Sequence, residues 1–277
     1  MRRLSHGLRV HPLQVAGIAC LLILWEGVAH LLEGRVDYAD VILPTIESVF
    51  GVALPGLAAF GGGAMGGYGG TSSLPQALAV LADNSLVTLI RVLGGTVAGT
   101  VLGVLVGLAM GWSRRLAGIL DPPIQLVRAV PALALIPLFM VWFGGAPLGP
   151  FVFVAFVAFE LIVINTVEAI RSVPPIVRQY ALSLGATQWQ LFRTVVLPGI
   201  VPSLIGAIRV ILGSSWAVVL AAEYLSVEAG LGRLMILSEV FLLTGRMIVI
   251  VLLFMLYSAV LNYMFLRSAR YATRWVP

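Results

Sequence analysis

Apolar residues come in long blocks separated by short polar or glycine- and proline-containing breaks. Six blocks have roughly the 20 residues needed to cross the hydrocarbon core as helix. They are Leu13–Leu32, Leu86–Trp112, Ile124–Phe143, Phe151–Ile170, Val201–Ala222 and Met247–Leu266. The third and fourth are parted only by a tight glycine- and proline-rich turn, Gly144 to Pro150. Spans of this kind must satisfy every backbone polar group internally. The pattern therefore predicts an all-α, polytopic integral membrane protein with about six transmembrane helices.

Between the blocks, three connections stand out. Residues 33–82 form a long loop in which Gly51 to Pro75, with the glycine-rich run Gly61–Gly70, carries no charge; composition reads this stretch as a flexible linker, with a contact surface for a partner as the other reading. Residues 171–198 form a polar connection with its own short-range periodicity. Inside the second block, Gly95, Gly99, Gly103, Gly107 and Gly111 recur every fourth residue. Such a register puts all of them on one helix face, where another backbone can approach closely.

Composition agrees with lipid as the solvent. The 277 residues are 60% hydrophobic and only 10% charged, and mean hydropathy is +1.05. Soluble domains carry roughly 25% charge. All 17 basic residues are Arg. Without Lys the chain can build neither a Walker phosphate loop nor a Schiff base. The Arg residues are scattered between spans, which suits topology signals and not a nucleic-acid surface. Arg2, Arg3, Arg9, Arg114, Arg115, Arg171, Arg178, Arg193, Arg267, Arg270 and Arg274 fall on one side of the predicted spans. Arg35, Arg233 and Arg246 fall on the other, among Glu33, Asp37, Asp40, Glu47, Glu228 and Glu239. The first side is therefore cytoplasmic, both termini lie inside, residues 1–12 are a cytoplasmic tail, and residues 33–82 are external. Cys20 is the one cysteine, within an apolar run that continues through Trp25 and reads as an uncleaved first span. His6, His11 and His30 have no metal-ligand spacing.

The 171–198 connection is cytoplasmic on this topology. Pro174-Pro175 opens a helix. Ile176, Tyr180 and Leu184, then Trp189, Phe192 and Val196, recur at helical intervals on either side of Gly185, and Leu197-Pro198 is expected to end the second helix. A helix–glycine–helix with apolar and aromatic groups on its surface fits a docking element. Periodicity alone leaves an interfacial helix on lipid headgroups equally open.

Here the chain resembles a known family. Gln179-Tyr180-Ala181, Gly185-Ala186, Trp189, Phe192 and Leu197-Pro198 look like the EAA loop of permease subunits in type I ABC importers, with Gln179 where the motif has Glu. Arg128 through Pro131 and Pro137 to Trp142-Phe143-Gly144 is similar to the third-span signature of the nitrate, aliphatic sulfonate and taurine branch. So are Ile164-Asn165-Thr166 with Arg171, Trp216, Ala222-Glu223 and Gly230-Leu231-Gly232, and Leu43-Pro44 fits as well.

The resemblance implies the type I importer permease (MetI-like) fold in the cell membrane, with residues 171–198 as the ATPase-coupling loop. It implies as partners a second permease copy forming a homodimer, a cytoplasmic ABC ATPase dimer that holds ATP and Mg, and an external solute-binding protein. No cofactor is expected on this chain, and no enzymatic activity. The solute is expected to be a small anion such as a sulfonate, taurine, nitrate or bicarbonate.

Ionisable and polar groups inside spans are costly and mark transport paths. Arg128, Glu160, Asn165, Glu168, Trp216 and Glu223 are the candidates, with Pro131 and Pro137 expected to bend the third span. Arg209, Trp216 and Glu223 lie seven apart, on one stripe. Glu223 and Arg209 also suit plain membrane boundaries, and the polar groups of the fourth span suit interhelical bonds. An ion-driven secondary transporter is the alternative; it calls for an inverted repeat that this sequence does not display.

Overall fold

The computed structural model describes residues 12–61, 73–144, 148–226 and 229–272. Arg2, Arg3, Arg9, His6, His11, Glu228, Arg274 and the glycine-rich run 62–70 lie outside these residues. Every regular element among the described residues is helical. Packing divides the chain into two units, residues 1–80 with 237–251 and residues 81–236 with 252–277.

In the first unit, α1 (Pro12–Glu33) is apolar from Val15 to Trp25. Leu13, Ile18, Leu21 and Ile23 are each at least 60% exposed, which only lipid makes favourable. Its last turns are tied to the chain that follows. The Trp25 indole N–H donates to the Pro44 carbonyl at 2.9 Å, and the Glu26 carboxylate accepts the Ile46 N–H at 2.9 Å. Short helical pieces succeed one another: α2 (Ala39–Ile42), α3 (Ile46–Ser48), a π turn at Val49–Ala53, α4 (Leu54–Gly56) and a 3₁₀ turn at Leu57–Gly61. Val49 and Leu57 form their buried side. Residues 39–61, expected as loop, are thus mostly helical. Thr244 Oγ1 donates to the Val41 carbonyl at 2.6 Å, and the Arg246 guanidinium lies 4.9 Å from the centre of the Phe60 ring.

The remaining helices lie wholly or largely in the second unit. These are α5 (Leu74–Trp112), α6 (Arg114–Ala129), α7 (Ile136–Phe143), α8 (Leu148–Ser172), α9 (Pro175–Ser183), α10 (Gln188–Leu191), α11 (Leu197–Ser226), α12 (Leu231–Val240) and α13 (Thr244–Ala272); residues 74–80, 237–240 and 244–251 belong to the first unit. Among the described residues five helices are long and apolar enough to cross a membrane, α1, α5, α8, the α10–α11 rod and α13, and the bent pair of α6 with residues 132–143 makes a sixth if it counts as one span. The second span is longer than its apolar block, because α5 begins at Leu74, well before Leu86.

The expected third span is not one helix. α6 and α7 meet at 89° across a short break. Val130 is extended and Pro131 follows at ψ 122°, leading into a 3₁₀ turn at Ala132–Leu135. Proline disfavours helix in the residue before it and supplies no N–H to continue one. Pro137 does not bend anything: it lies in the first turn of α7, where a missing N–H costs nothing. Leu197-Pro198 likewise does not end a helix. A π turn at Phe192–Val196 widens the backbone just ahead of it, Leu197 N–H bonds five residues back to Phe192, and the helix runs on into α11. The same device precedes Pro55, where Leu54 N–H bonds to Val49.

Candidate coupling segment and intramembrane polar groups

The segment between α8 and α11 is a stop, a turn and a start within a few residues. Gly185 lies at φ +83°, the left-handed region that glycine enters at no steric cost. Ala186 N–H bonds to Ala181 O at 3.1 Å and Gly185 N–H bonds to Leu182 O at 2.9 Å. This paired closure is the Schellman motif, with Gly185 at its left-handed position. Two residues later Thr187 caps α10. Its hydroxyl accepts from Gln190 N–H at 3.3 Å, and the Gln190 side chain accepts from Thr187 N–H at 2.8 Å, a capping box. Ala181, Gly185 and Ala186 therefore specify a backbone shape, not a chemical group.

One side of this helical hairpin is anchored. Leu191, Val196 and Val173 are buried with Ala169, Ile170 and Ile200, and the Arg178 guanidinium donates to the Ile170 carbonyl near the end of α8. Phe192 is held between two tryptophans. Trp112 packs edge-on at 5.0 Å and Trp189 stacks at 5.7 Å. The other side is bare: Ile176, Tyr180, Leu184 and Trp189 are 52%, 65%, 87% and 67% exposed, and Gln179 is exposed beside them.

Each glycine of the predicted row faces α8. A Cβ on Gly95 would come within 2.9 Å of Phe151 O and Val154; on Gly99 it would meet Ala155 O, and Ala158 at 2.8 Å. On Gly103 it would meet Ile162, and Phe159 O at 2.8 Å; on Gly107, Thr166 at 2.6 Å; on Gly111, Ile170. Val154, Ala158, Ile162, Thr166 and Ile170 are also four apart. A fourfold ridge thus fits a fourfold groove, the commonest way two helices interlock.

The candidate path residues divide. Asn165 and Glu168 are exposed on α8, Glu160 is half-buried, and Arg128, in the last turn of α6, is exposed. Asn165 Nδ2 donates to Leu161 O at 2.8 Å. Pro131 and Pro137 are exposed too. Trp216 and Glu223 are not placed with them. Trp216 is 5% exposed, edge-on to Phe254 at 5.6 Å and stacked on Tyr257 at 6.2 Å. Arg209, on the same stripe, donates to Asn262 at 3.1 Å. The stripe thus faces α13 around Trp216, because a large ring gains most by leaving both water and loose lipid for close packing.

Glu223 is fully buried, and sequence reading missed its partners. Arg91 Nη1 donates to Glu223 Oε1 at 2.8 Å and to Ala229 O at 2.7 Å. The Thr88 hydroxyl lies 2.9 and 3.0 Å from the two carboxylate oxygens, and Gly232 N–H donates to Oε2 at 3.0 Å. Asn84 Oδ1 accepts Gly230 N–H at 2.8 Å, and Thr88 Oγ1 accepts Leu231 N–H at 2.9 Å. The available signal was Asn84, Thr88 and Arg91, polar residues four and three apart on one face of an apolar helix. Among the described residues no group of three or more His, Cys, Asp or Glu is placed to hold a metal.

Residues 99–276 match the family of binding-protein-dependent transport system inner membrane components. The chain belongs to that family. It is a multi-pass membrane protein and the permease subunit of an ABC importer. Over 257 residues the permease is 31% identical to a putative ABC transporter permease protein of Methanocaldococcus jannaschii, covering 91% of this chain and 88% of that one. It is 32% identical over 166 residues to the taurine transport system permease protein TauC of Escherichia coli, covering 60% of each chain. In fold it is similar to a chain in the inward-facing MetNI methionine ABC transporter, with a TM-score of 0.61 at 20% identity over 72% of this chain and 98% of that one. An ion-driven transporter is not favoured by any of these likenesses.

Proposed function

We propose that the permease works as a homodimer, driven by a cytoplasmic ATPase pair that binds ATP and Mg and loaded by an external solute-binding protein. The single observation that carries this reading is the hairpin at residues 175–191. Its turn is fixed by a Schellman motif and a capping box, one side is packed into the bundle, and the other presents Ile176, Tyr180, Leu184 and Trp189. A rigid apolar projection on an anchored base suits insertion into a groove of a partner subunit. Gln179, Ala181, Gly185, Ala186, Trp189, Phe192, Leu197 and Pro198 make up this coupling element. ATP binding displaces it, and the spans shift between two access states.

The solute path follows the polar side of α8, with Glu160, Asn165 and Glu168, and includes Arg128 at the end of α6. Exposed carboxylates and amides on a spanning helix are too costly to face hydrocarbon. A taurine-type sulfonate is the solute class supported by the taurine-permease relative. Arg128 supplies the charge that would meet a sulfonate.

The test is a quantitative pull-down of the tagged permease in mild detergent. The parent is expected to retain an ATPase subunit at near-equal stoichiometry. Gly185→Trp, which forces a bulky L-residue into left-handed backbone at the tip, is expected to lose it. Absence of any ATPase from the parent refutes the reading.

A further inference from the structure

α5 and α11 run antiparallel and are tied at three levels. At the coupling end Trp112 packs against Phe192 at 5.0 Å. Midway, Thr96 Oγ1 donates to Ser215 Oγ at 2.8 Å. At the far end Thr88 and Arg91 hold Glu223. Between Gln188 and Leu225 the chain is one 38-residue rod, about 55 Å long at about 1.5 Å per residue. It widens into a π turn at Phe192–Val196 and carries Pro202 within α11 without ending. Phe192 and Glu223 are therefore near opposite ends of one lever. α8 is locked to the same body through the glycine row and through Ala158 and Ile162 against Ala207 and Ile211.

The far tie does more than join two helices. Its donors and acceptors converge on the backbone of Ala229, Gly230, Leu231 and Gly232, the segment that opens α12. Gly230 lies at φ +125°, and a Cβ there would be 2.5 Å from the Glu223 carboxyl carbon. A side chain at position 230 would therefore collide with the carboxylate. Burying an ion pair is a poor route to stability, since well-packed apolar replacements are often neutral or better. What the charges supply that apolar packing does not is a single directed arrangement.

We infer that Asn84, Thr88, Arg91 and Glu223 form a positioning clasp that carries displacement of the coupling segment along the α11 rod into segment 229–232. The inference rests on the coupling reading above. With the clasp closed, the coupling end and the first turns of α12 move as one body. With it open, the rod moves and those turns lag.

The test uses the full permease with its co-purified ATPase, in a Cys20→Ser background. Spin labels go on cysteines at Arg193, within the π turn, and Met235, in α12; Arg193 is exposed and Met235 half-buried. Distances are measured by pulsed EPR with and without ATP trapped by vanadate. In the parent, one intrachain distance distribution is expected, unchanged by nucleotide. The double variant Arg91→Met/Glu223→Leu removes both charges together and leaves no unpaired ion, so it is expected to assemble and hydrolyse ATP. In it, trapping nucleotide is expected to add a second, displaced population. Loss of packing alone would shift thermal stability but not create a nucleotide-dependent population. A variant that stays single with and without ATP overturns the inference, and so does a parent that splits. If the variant fails to assemble, Thr88→Val, which removes the hydroxyl at nearly constant volume, is read the same way. A parent that brings down no ATPase is a separate failure, that of the coupling reading, and it removes the displacement the clasp would carry.

Discussion

Replacing Gly99 with Ala adds one methyl group to a face where two helix backbones already touch. That methyl would sit far inside contact distance of the Ala155 carbonyl oxygen and 2.8 Å from the Ala158 Cβ. Carbon atoms prefer about 3.5–4.0 Å, so α5 and α8 must part by roughly 1 Å. Neither obstacle is a flexible side chain that can swing away. Overpacking of this kind costs about 1–3 kcal/mol, and a backbone obstacle places it toward the upper end. Alanine regains about 1 kcal/mol over glycine as a helix former. The net expectation is a loss of about 2 kcal/mol.

Gly206 provides the control, since a Cβ there meets nothing within 4 Å. Gly206→Ala keeps only the helix-propensity gain, about 1 kcal/mol of stabilisation. The two variants share chemistry and differ in sign. The assay is reversible unfolding of the purified permease in mixed micelles of increasing SDS fraction, followed by tryptophan fluorescence. Shifts of the same sign in both variants would refute the seam argument.

Two further substitutions probe other parts of the molecule. Thr187→Ala removes the hydroxyl of the capping box at α10 and should cost about 1 kcal/mol; hydrogen exchange at residues 187–191 should quicken locally while the spans stay protected. Trp216→Ala deletes a ring wedged against Phe254 and Tyr257 and should cost about 3–5 kcal/mol in the same SDS titration, whereas a residue lining an open path would cost far less.

Local signals explain what was legible beforehand. The glycine row in α5 is a periodicity on a single helix, and one row at fourfold spacing needs only a matching row to interlock; α8 supplies it. The hairpin at Gly185 was legible because its turn and caps are built within Ala181–Gln190. The expected spans are matched among the described residues by five helices and one bent pair, because length and apolarity are also local. Prolines were less transparent. Pro131 marks a sharp break, Pro137 begins a helix, and Pro198 is absorbed by a π turn. A missing N–H can be met by stopping, starting or widening a helix, and the neighbouring packing decides which.

The sequence by itself determined that this chain lives in lipid, how many apolar stretches cross it, which helix face is smooth, and where a capped hairpin projects. Those properties follow from composition and from spacings of a few residues. Only the tertiary structure decided that Glu223 belongs with Arg91, 132 residues away, and not to an open path. It alone decided that Trp216 is packed against α13, and that Asn165 and Glu168 stay exposed. An ionisable residue in an apolar helix must find a partner or a wet surface. Which of the two it finds depends on the helix brought beside it, and that is a property of the packed bundle.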